Sequence, residues 1–427
     1  MNWQEKLFSL SILLAAGPLT AVNTMSAEPA GLPWNRHTVD DSSLGADGVK
    51  LADINGDGRT DIATGWEEGG LTRVYLNPGH EKSKSRWPKI TVGKTPSVED
   101  ATFVDLDHDG QLDVVSCCEG TTRKIFVHWA PADRRDLFDA SKWEQRVLTD
   151  SEIQAQQWMF VCPMQVDGKY GVDLVAGSKG KNAQIGWFEA PANGRDLSGY
   201  QWHPISQAGW IMSIRKRDMD GDQDLDLVIT DRTGSLRGCR WLENPGPGHE
   251  QQLPWKNHTM GAEADEVMSM TLADLDGDHL EDAFVAVKDM SIMFLKRLDE
   301  SGLRWKSHRI SADCQAGNTR AVEVVDIDGD SKLDLAVTTW NARGKHGVFW
   351  LAFDKSELRW RPHRISGSLQ GIKYDRIEML DLDDDGDLDL LTCEERESGS
   401  GLGVIWYENP HGPRRHDATA DAISLDH

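Results

Sequence analysis

The sequence predicts an all-β fold, a seven-bladed β-propeller of four-stranded blades, on three observations. An acidic loop recurs seven times at spacings of 52 to 60 residues. Each recurrence is accompanied by short β-rich segments separated by Gly, Pro and Asn turns. The motif that ends each unit also occurs once ahead of the first acidic loop. Units of this length with four strands each are the pattern of propeller blades.

The loop reads Asp-x-Asp/Asn-x-Asp, with a further Asp four residues on and then an apolar strand. Its copies are DINGDGRTDIAT from Asp53, DLDHDGQLDVVS from Asp105, DMDGDQDLDLVI from Asp218, DLDGDHLEDAFV from Asp274, DIDGDSKLDLAV from Asp326 and DLDDDGDLDLLT from Asp381. A degenerate copy, QVDGKYGVDLVA, starts at Gln165. A first strand precedes each loop and a second follows it. The third often carries Trp and an Asn-Pro or Ala-Pro stop, as in GWFEAP, RWLENPG and VIWYENP. The fourth opens with Trp and in four copies reads Trp-x-x-His, at His37, His258, His308 and His363. These histidines lie in a repeated outer strand and are read as structural. The first copy, Trp34–Val39, precedes all the loops, whereas the last unit stops at Asn409-Pro410 without one. The N-terminal strand is therefore expected to complete the last blade, which removes an exposed sheet edge. The propeller is expected to span 34–410, with a disordered polar tail at 411–427.

Composition narrows the function. The 427 residues hold 70 Asp and Glu against 46 Lys and Arg, a formal net charge of -24. A duplex binder needs a basic face to displace counterions, so nucleic acid is excluded as a partner and anionic membranes are disfavoured. Lys6 followed by the apolar run Leu7–Ala16 and by Met25-Ser26-Ala27 reads as a secretory signal peptide, residues 1–27. The expected location is secreted, periplasmic or cell envelope. No later stretch is long and apolar enough to enter a membrane as a helix. The six cysteines, at 117, 118, 162, 239, 314 and 393, match no zinc or redox spacing.

The loops resemble the calcium-binding loops of the FG-GAP and VCBS repeat families, including those of integrin α-subunit propellers. The chemistry points the same way, because carboxylates at alternate positions of a tight turn converge on one point and hard cations take six to eight oxygens. About six structural Ca²⁺ sites are expected: Asp53, Asn55, Asp57 and Asp61; Asp105, Asp107, Asp109 and Asp113; Asp218, Asp220, Asp222 and Asp226; Asp274, Asp276, Asp278 and Asp282; Asp326, Asp328, Asp330 and Asp334; Asp381, Asp383, Asp385 and Asp389. In the third unit Lys169 stands at a ligand position, so no calcium is expected there and the ammonium is expected to pair with the carboxylates.

The loops leading into the first strand and out of the second share the face opposite the acidic loops. Their candidate ligand-binding residues are Trp66, Glu99, Trp158, Trp210, Asp231, Arg232, Glu266, Trp340 and Asp375. Indole faces with planar carboxylates and Arg forks suit sugars. Candidate catalytic residues are Glu67, Glu119, Arg320, His346, Arg376 and Glu394. Three classes stand: a binding module for a glycan or an extracellular protein, an enzyme at the channel mouth, or a structural adhesion protein. The WFEAP and WLENP strands are similar to the propeller domain of aldos-2-ulose dehydratase, which implies a lyase or dehydratase and a zinc site. With one loop histidine, His346, and no room for that enzyme's cupin domains, zinc catalysis is not expected. The oligomeric state is left open.

Overall fold

The structure is a computed structural model that describes residues 29–148, 156–312, 314–395 and 401–412. The expected signal peptide, 1–27, and the part of the tail beyond Gly412 lie outside the described residues. Seven four-stranded antiparallel sheets form the blades of a propeller. The inner strands, one per blade, are Ala46–Ala52, Val98–Val104, Gln157–Met164, Ile211–Arg217, Val267–Ala273, Asn318–Val325 and Tyr374–Leu380. In the first six blades the strands add outward in chain order. In the seventh the outermost strand is Asn35–Asp40, which pairs with Gly403–Glu408 from Asn35 opposite Glu408 to Asp40 opposite Val404. The N-terminal strand thus completes the last blade, as its displaced motif requires.

Burial follows blade position. Second strands such as Asp61–Trp66, Asp113–Cys118 and Asp282–Val287 are buried at every residue, because a neighbouring blade covers each face. Outer strands such as Lys89–Lys94 alternate buried and exposed residues. Seven hydrophobic clusters fill the seven contacts between blades. The contact between blades seven and one, built on Val39, Ile62, Trp66, Leu391 and Trp406, is packed like the others, so the ring is closed. Asp40 strengthens that seam: it accepts from Arg73 Nη1 at 2.6 Å and Tyr75 Oη at 3.0 Å and pairs with Lys89. No helix among the described residues is long and apolar enough to cross a membrane.

The repeated histidines pack as their position suggests. His258 and His363 stack on Trp241 and Trp350 at 4.1 Å, and His37 lies 4.4 Å from Trp406. His37 and His258 also pair with Glu408 and Glu243 at 2.8 and 2.5 Å.

Candidate functional site: the channel mouth and the acidic loops

Every inner strand carries a register shift near its start: at 47/50, 98/100, 158/160, 211/213, 267/270, 319/321 and 374/377. Bulges twist a strand and re-aim its side chains, and here they surround one end of the central channel. Two sets of residues meet at that mouth. Six residues ahead of each acidic loop stand Asp47, Glu99, Met159, Met212, Met268, Arg320 and Asp375. Where each second strand ends stand Glu67, Glu119, Lys179, Arg232, Lys288, Trp340 and Glu395. The mouth is therefore polarised. Blades seven, one and two contribute carboxylates at both positions, whereas blades three, four and five contribute a cation over a buried methionine.

The acidic half is crowded. Asp47, Glu67 and Glu395 bring carboxylate oxygens within 4.8 Å of one another, and so do Glu67, Glu99 and Glu119. Glu67 belongs to both groups, and burial together with the neighbouring Glu395 pushes it up to about 8. Burial, reinforced by Asp375, raises Asp47 far above the carboxylate range. Asp375 is buried too, but the guanidinium of Arg320, 2.6 Å away, and a hydrogen bond from Asp47 hold it below that range. Burial thus favours the neutral form of Asp47, whereas Arg320 favours the charged form of Asp375. Lys179 bridges towards the acidic half, 3.3 Å from Glu99 and in contact with Glu119, and Lys373 pairs with Glu395. Beneath them Arg376 crosses the channel, donating to Met212 O at 3.2 Å with its guanidinium 4.6 Å from the Phe160 ring.

The basic half holds Trp210 between Lys179 and Arg232, 4.6 and 4.4 Å from its ring centroid. Glu266 links Arg232 at 3.1 Å to Lys288 at 2.8 Å, and Lys288 lies 5.9 Å from the Trp340 ring.

Several residues expected on this face lie in the packing instead. Trp66 is buried between blades, its indole donating to Tyr75 Oη at 2.8 Å. Trp158 is buried against Phe188 and Trp202. Asp231 is buried, accepting from the N–H groups of Gly209 and Trp210 and pairing with Arg240 at 3.3 Å. Glu394 is engaged by the N–H groups of Ile372 and Leu402, both at 2.7 Å. His346 is buried beside Ala316. Four of these five, Trp66, Trp158, Asp231 and Glu394, belong to the strands Asp61–Trp66, Gln157–Met164, Asp226–Asp231 and Asp389–Glu394 and not to the loops between them. Asp47 and Lys373, conversely, are mouth residues that the loop reading did not select. Asp47 shares the position of Glu99, Arg320 and Asp375 relative to its loop, and that register was the available signal.

On the opposite face the acidic loops follow one plan. The first carboxylate accepts backbone N–H groups of its own turn, as Asp53 does from Gly56 at 2.7 Å and Gly58 at 2.8 Å. The last one clips the turn to the end of the third strand. Asp61 accepts from Ile54 and Asn77, Asp113 from Leu106 and Ala130, Asp226 from Met219 and Asn244, and Asp389 from Leu382 and Asn409, all between 2.8 and 3.2 Å. In the degenerate loop Asp173 makes the same clip to Val166 and Ala190, both at 2.8 Å. The clip accounts for Asp173 in a loop where Gln165 and Lys169 replace two of the acids.

The aspartates at the third and fifth positions keep an oxygen free of these backbone bonds, and in most loops a basic side chain meets one of them. Arg59 meets Asp57, Arg195 reaches from blade three to Asp107, Lys296 meets Asp276 and Asp278, Lys332 meets Asp330, and Lys84 reaches from blade one to Asp383 at 2.9 Å. Lys169 pairs with Asp167 at 2.5 Å in the degenerate loop, as its position suggests. Blade four differs: among the described residues no basic side chain pairs with Asp218, Asp220, Asp222 or Asp224. Burial and Asp222 push Asp224 up to about 6. The oxygens fit a bound cation. Asp105, Asp107 and Asp113, then Asp218, Asp220 and Asp226, then Asp274, Asp276 and Asp278 each bring oxygens within 4.8 Å of one another. Asp282 Oδ2, Asp383 Oδ1 and Asp387 Oδ1 are buried without a hydrogen-bond partner, a costly state that a cation relieves.

Comparison with known proteins adds to this geometry. The FG-GAP-like repeat matches residues 53–116 and 218–285. No curated protein matches the chain. Among solved structures, the crystal structure of BBS1N in complex with ARL6DN, soaked with mercury, is similar at 11% identity and a TM-score of 0.49, covering 89% of this chain and 98% of that one. The protein carries FG-GAP-like repeats in two places on a closed seven-bladed β-propeller, a generic ligand-binding or protein-interaction module.

Proposed function

We propose that this chain is a secreted or envelope-located binding module, stiffened by calcium on its acidic-loop face and holding its ligand at the opposite mouth of the channel. The observation that carries the ligand site is the polarised mouth: Glu395, Glu67 and Glu119 on one side, Lys179, Arg232 and Lys288 on the other. A ligand with groups of both signs, such as a charged glycan or a segment of an extracellular protein, complements such a surface. Trp210 and Trp340 flank the basic side, but their contacts with Lys179, Arg232 and Lys288 leave less indole face for sugar stacking than the sequence suggests.

Calcium would be held by the carboxylates of the six acidic loops, most simply at the third and fifth positions, whose free oxygens already attract Lys and Arg. When bound it would supply charge compensation and fix the turn between the first two strands. The protein's own part is the clip from the last aspartate, which needs no metal.

A glycan array of neutral and charged sugars, screened in calcium alongside Lys288→Glu, tests the ligand reading. Binding confined to charged sugars and lost in the variant supports it; equal binding by both proteins removes it. The neighbouring carboxyls of Asp47 and Asp375, shifted in opposite directions, and the raised Glu67 favour a second reading, a lyase or dehydratase using these groups as acid and base. Product analysis on any hit decides, because turnover abolished by Glu67→Gln is required by that reading alone.

A further inference from the structure

A repeated clamp holds the indoles between blades. In blades one, four and five, one carbonyl in the loop joining the third and fourth strands accepts two indole N–H groups. Ser83 O accepts from Trp87 Nε1 at 2.9 Å and Trp406 Nε1 at 3.3 Å. Gln251 O accepts from Trp255 Nε1 at 3.0 Å and Trp187 Nε1 at 3.1 Å. Gly302 O accepts from Trp305 Nε1 at 2.7 Å and Trp241 Nε1 at 2.9 Å. In each case one indole opens the blade's own fourth strand and the other belongs to the third strand of the blade before it.

Blade seven cannot build this clamp. Its third strand ends at Glu408 and its fourth begins at Asn35, so two separate pieces of chain stand where the other blades have a loop. The indoles in question are Trp34 and Trp350. The piece ahead of Trp34 is drawn to the outer strand of blade six, where Ala30 N donates to Pro362 O and Ala30 O accepts from Arg364 N, both at 2.8 Å. Trp350 is left 2% exposed with no hydrogen-bond acceptor for its Nε1 among the described residues. A cavity of about 440 Å³ opens beside it, lined by Trp34, Trp350, His363, Glu408, His411 and Leu32 among others. That is the size of many small-ligand sites. Leu32, at the chain end of this cavity, is 84% exposed.

We propose that this seam pocket takes a peptide segment of a partner protein, which presents a backbone carbonyl to Trp350 Nε1 and an apolar side chain to Leu32. The carbonyl is the acceptor that the protein itself uses at the three equivalent positions. A stacked sugar fits less well: His363 covers one face of Trp350 at 4.1 Å and His411 meets it edge-on at 5.8 Å, so the N–H edge is what remains open. The exposed Leu32 beside an indole edge that opens on the pocket without an acceptor from the described residues is the arrangement of a partner site.

The test uses the full chain labelled with ¹⁵N, and follows its indole N–H resonances during titration with a synthetic peptide of the protein's own clamp turn, Pro245 to Pro254 (PGPGHEQQLP). The resonance absent from Trp350→Phe should shift saturably, while those of Trp187, Trp241 and Trp406, already bonded, stay in place. Calorimetry on Leu32→Asp, an exposed position whose change leaves the fold intact, should show peptide affinity reduced at least tenfold. No shift at millimolar peptide, or undiminished affinity in Leu32→Asp, overturns the proposal. A shift of the Trp350 resonance on deleting residues 413–427 without peptide also overturns it, since the acceptor then comes from this chain.

Discussion

Asp173→Ala should destabilise the propeller equally in calcium and in chelator. Asp173 is 1% exposed, and its two oxygens take the N–H groups of Val166 and Ala190, tying the degenerate turn to the end of the third strand. Removing the carboxylate orphans two buried donors, each worth about 1–3 kcal/mol. Part of that is returned, because burial raises Asp173 to about 7 and so already penalises its ionised form. A net loss of about 2–4 kcal/mol follows. With ordinary unfolding entropies over roughly 370 residues, that lowers the melting temperature by about 3–5 °C. The contrasting variant is Asp222→Asn in blade four, at a position whose Oδ1 accepts only Asp224 N at 3.1 Å. It should leave the melt in chelator nearly unchanged and reduce the gain on adding calcium. Paired calorimetric scans with and without calcium read both. An Asp173→Ala melt within 1 °C of the parent, or one whose deficit depends on calcium, would refute the separation of clip from ion site.

Further outcomes follow from the same contacts. Asp226 and Asp334 are raised to about 7 by burial, with neighbouring loop carboxylates adding to it. The folded state therefore holds protons that the unfolded chain releases near pH 4, so stability in chelator should fall as pH rises from about 4 through 7; calcium should flatten this profile, and a chelator profile that rises over that window contradicts it. Asp40→Ala removes the partner of Arg73, Tyr75 and Lys89 at the ring closure and should cost about 3–5 kcal/mol, read by urea unfolding. In the parent, burial opposes ionisation of Asp40, but Lys89, Ser42 and Arg73 prevail and lower it. Its contribution should persist above pH 4 and fade only as pH falls below that. Glu67, raised to about 8, should titrate near that pH in a carboxyl-carbon NMR experiment, and Lys373→Met should move its midpoint higher by leaving the neighbouring Glu395 without its cation. A midpoint below 6 would show that the acidic half of the mouth is better compensated than its geometry implies.

The architecture was legible because repetition over-determines it. Seven spaced loops, the third-strand Asn-Pro and Ala-Pro stops, and the displaced Trp34 motif each point to a ring closed by the first strand. Lys169 was readable as the cation of a loop in which it and Gln165 replace two of the acids. The mouth was less legible for a physical reason: a propeller loop is short, and whether its side chain faces the channel or the next blade depends on a bulge that leaves no mark in composition. Trp66 and Trp158 stand at loop positions by sequence, yet their indoles turn inward because a blade junction buries more apolar area than a polar rim would. Asp231 and Glu394 look like exposed acids and instead cap backbone N–H groups. Asp47 was missed, although its register with Glu99, Arg320 and Asp375 marks it. The dual use of the last loop aspartate, as strand clip and candidate ligand, is visible where Asp173 keeps the clip although Gln165 and Lys169 replace two of the other acids.

Calcium binding by the metal-free protein tests the central claim most directly. Titration calorimetry at neutral pH, with the melting temperature followed alongside, should show up to six ions bound per chain and a melting temperature that rises with occupancy. Failure to bind any calcium, or binding that leaves the melting temperature unchanged, would contradict the account of the acidic face.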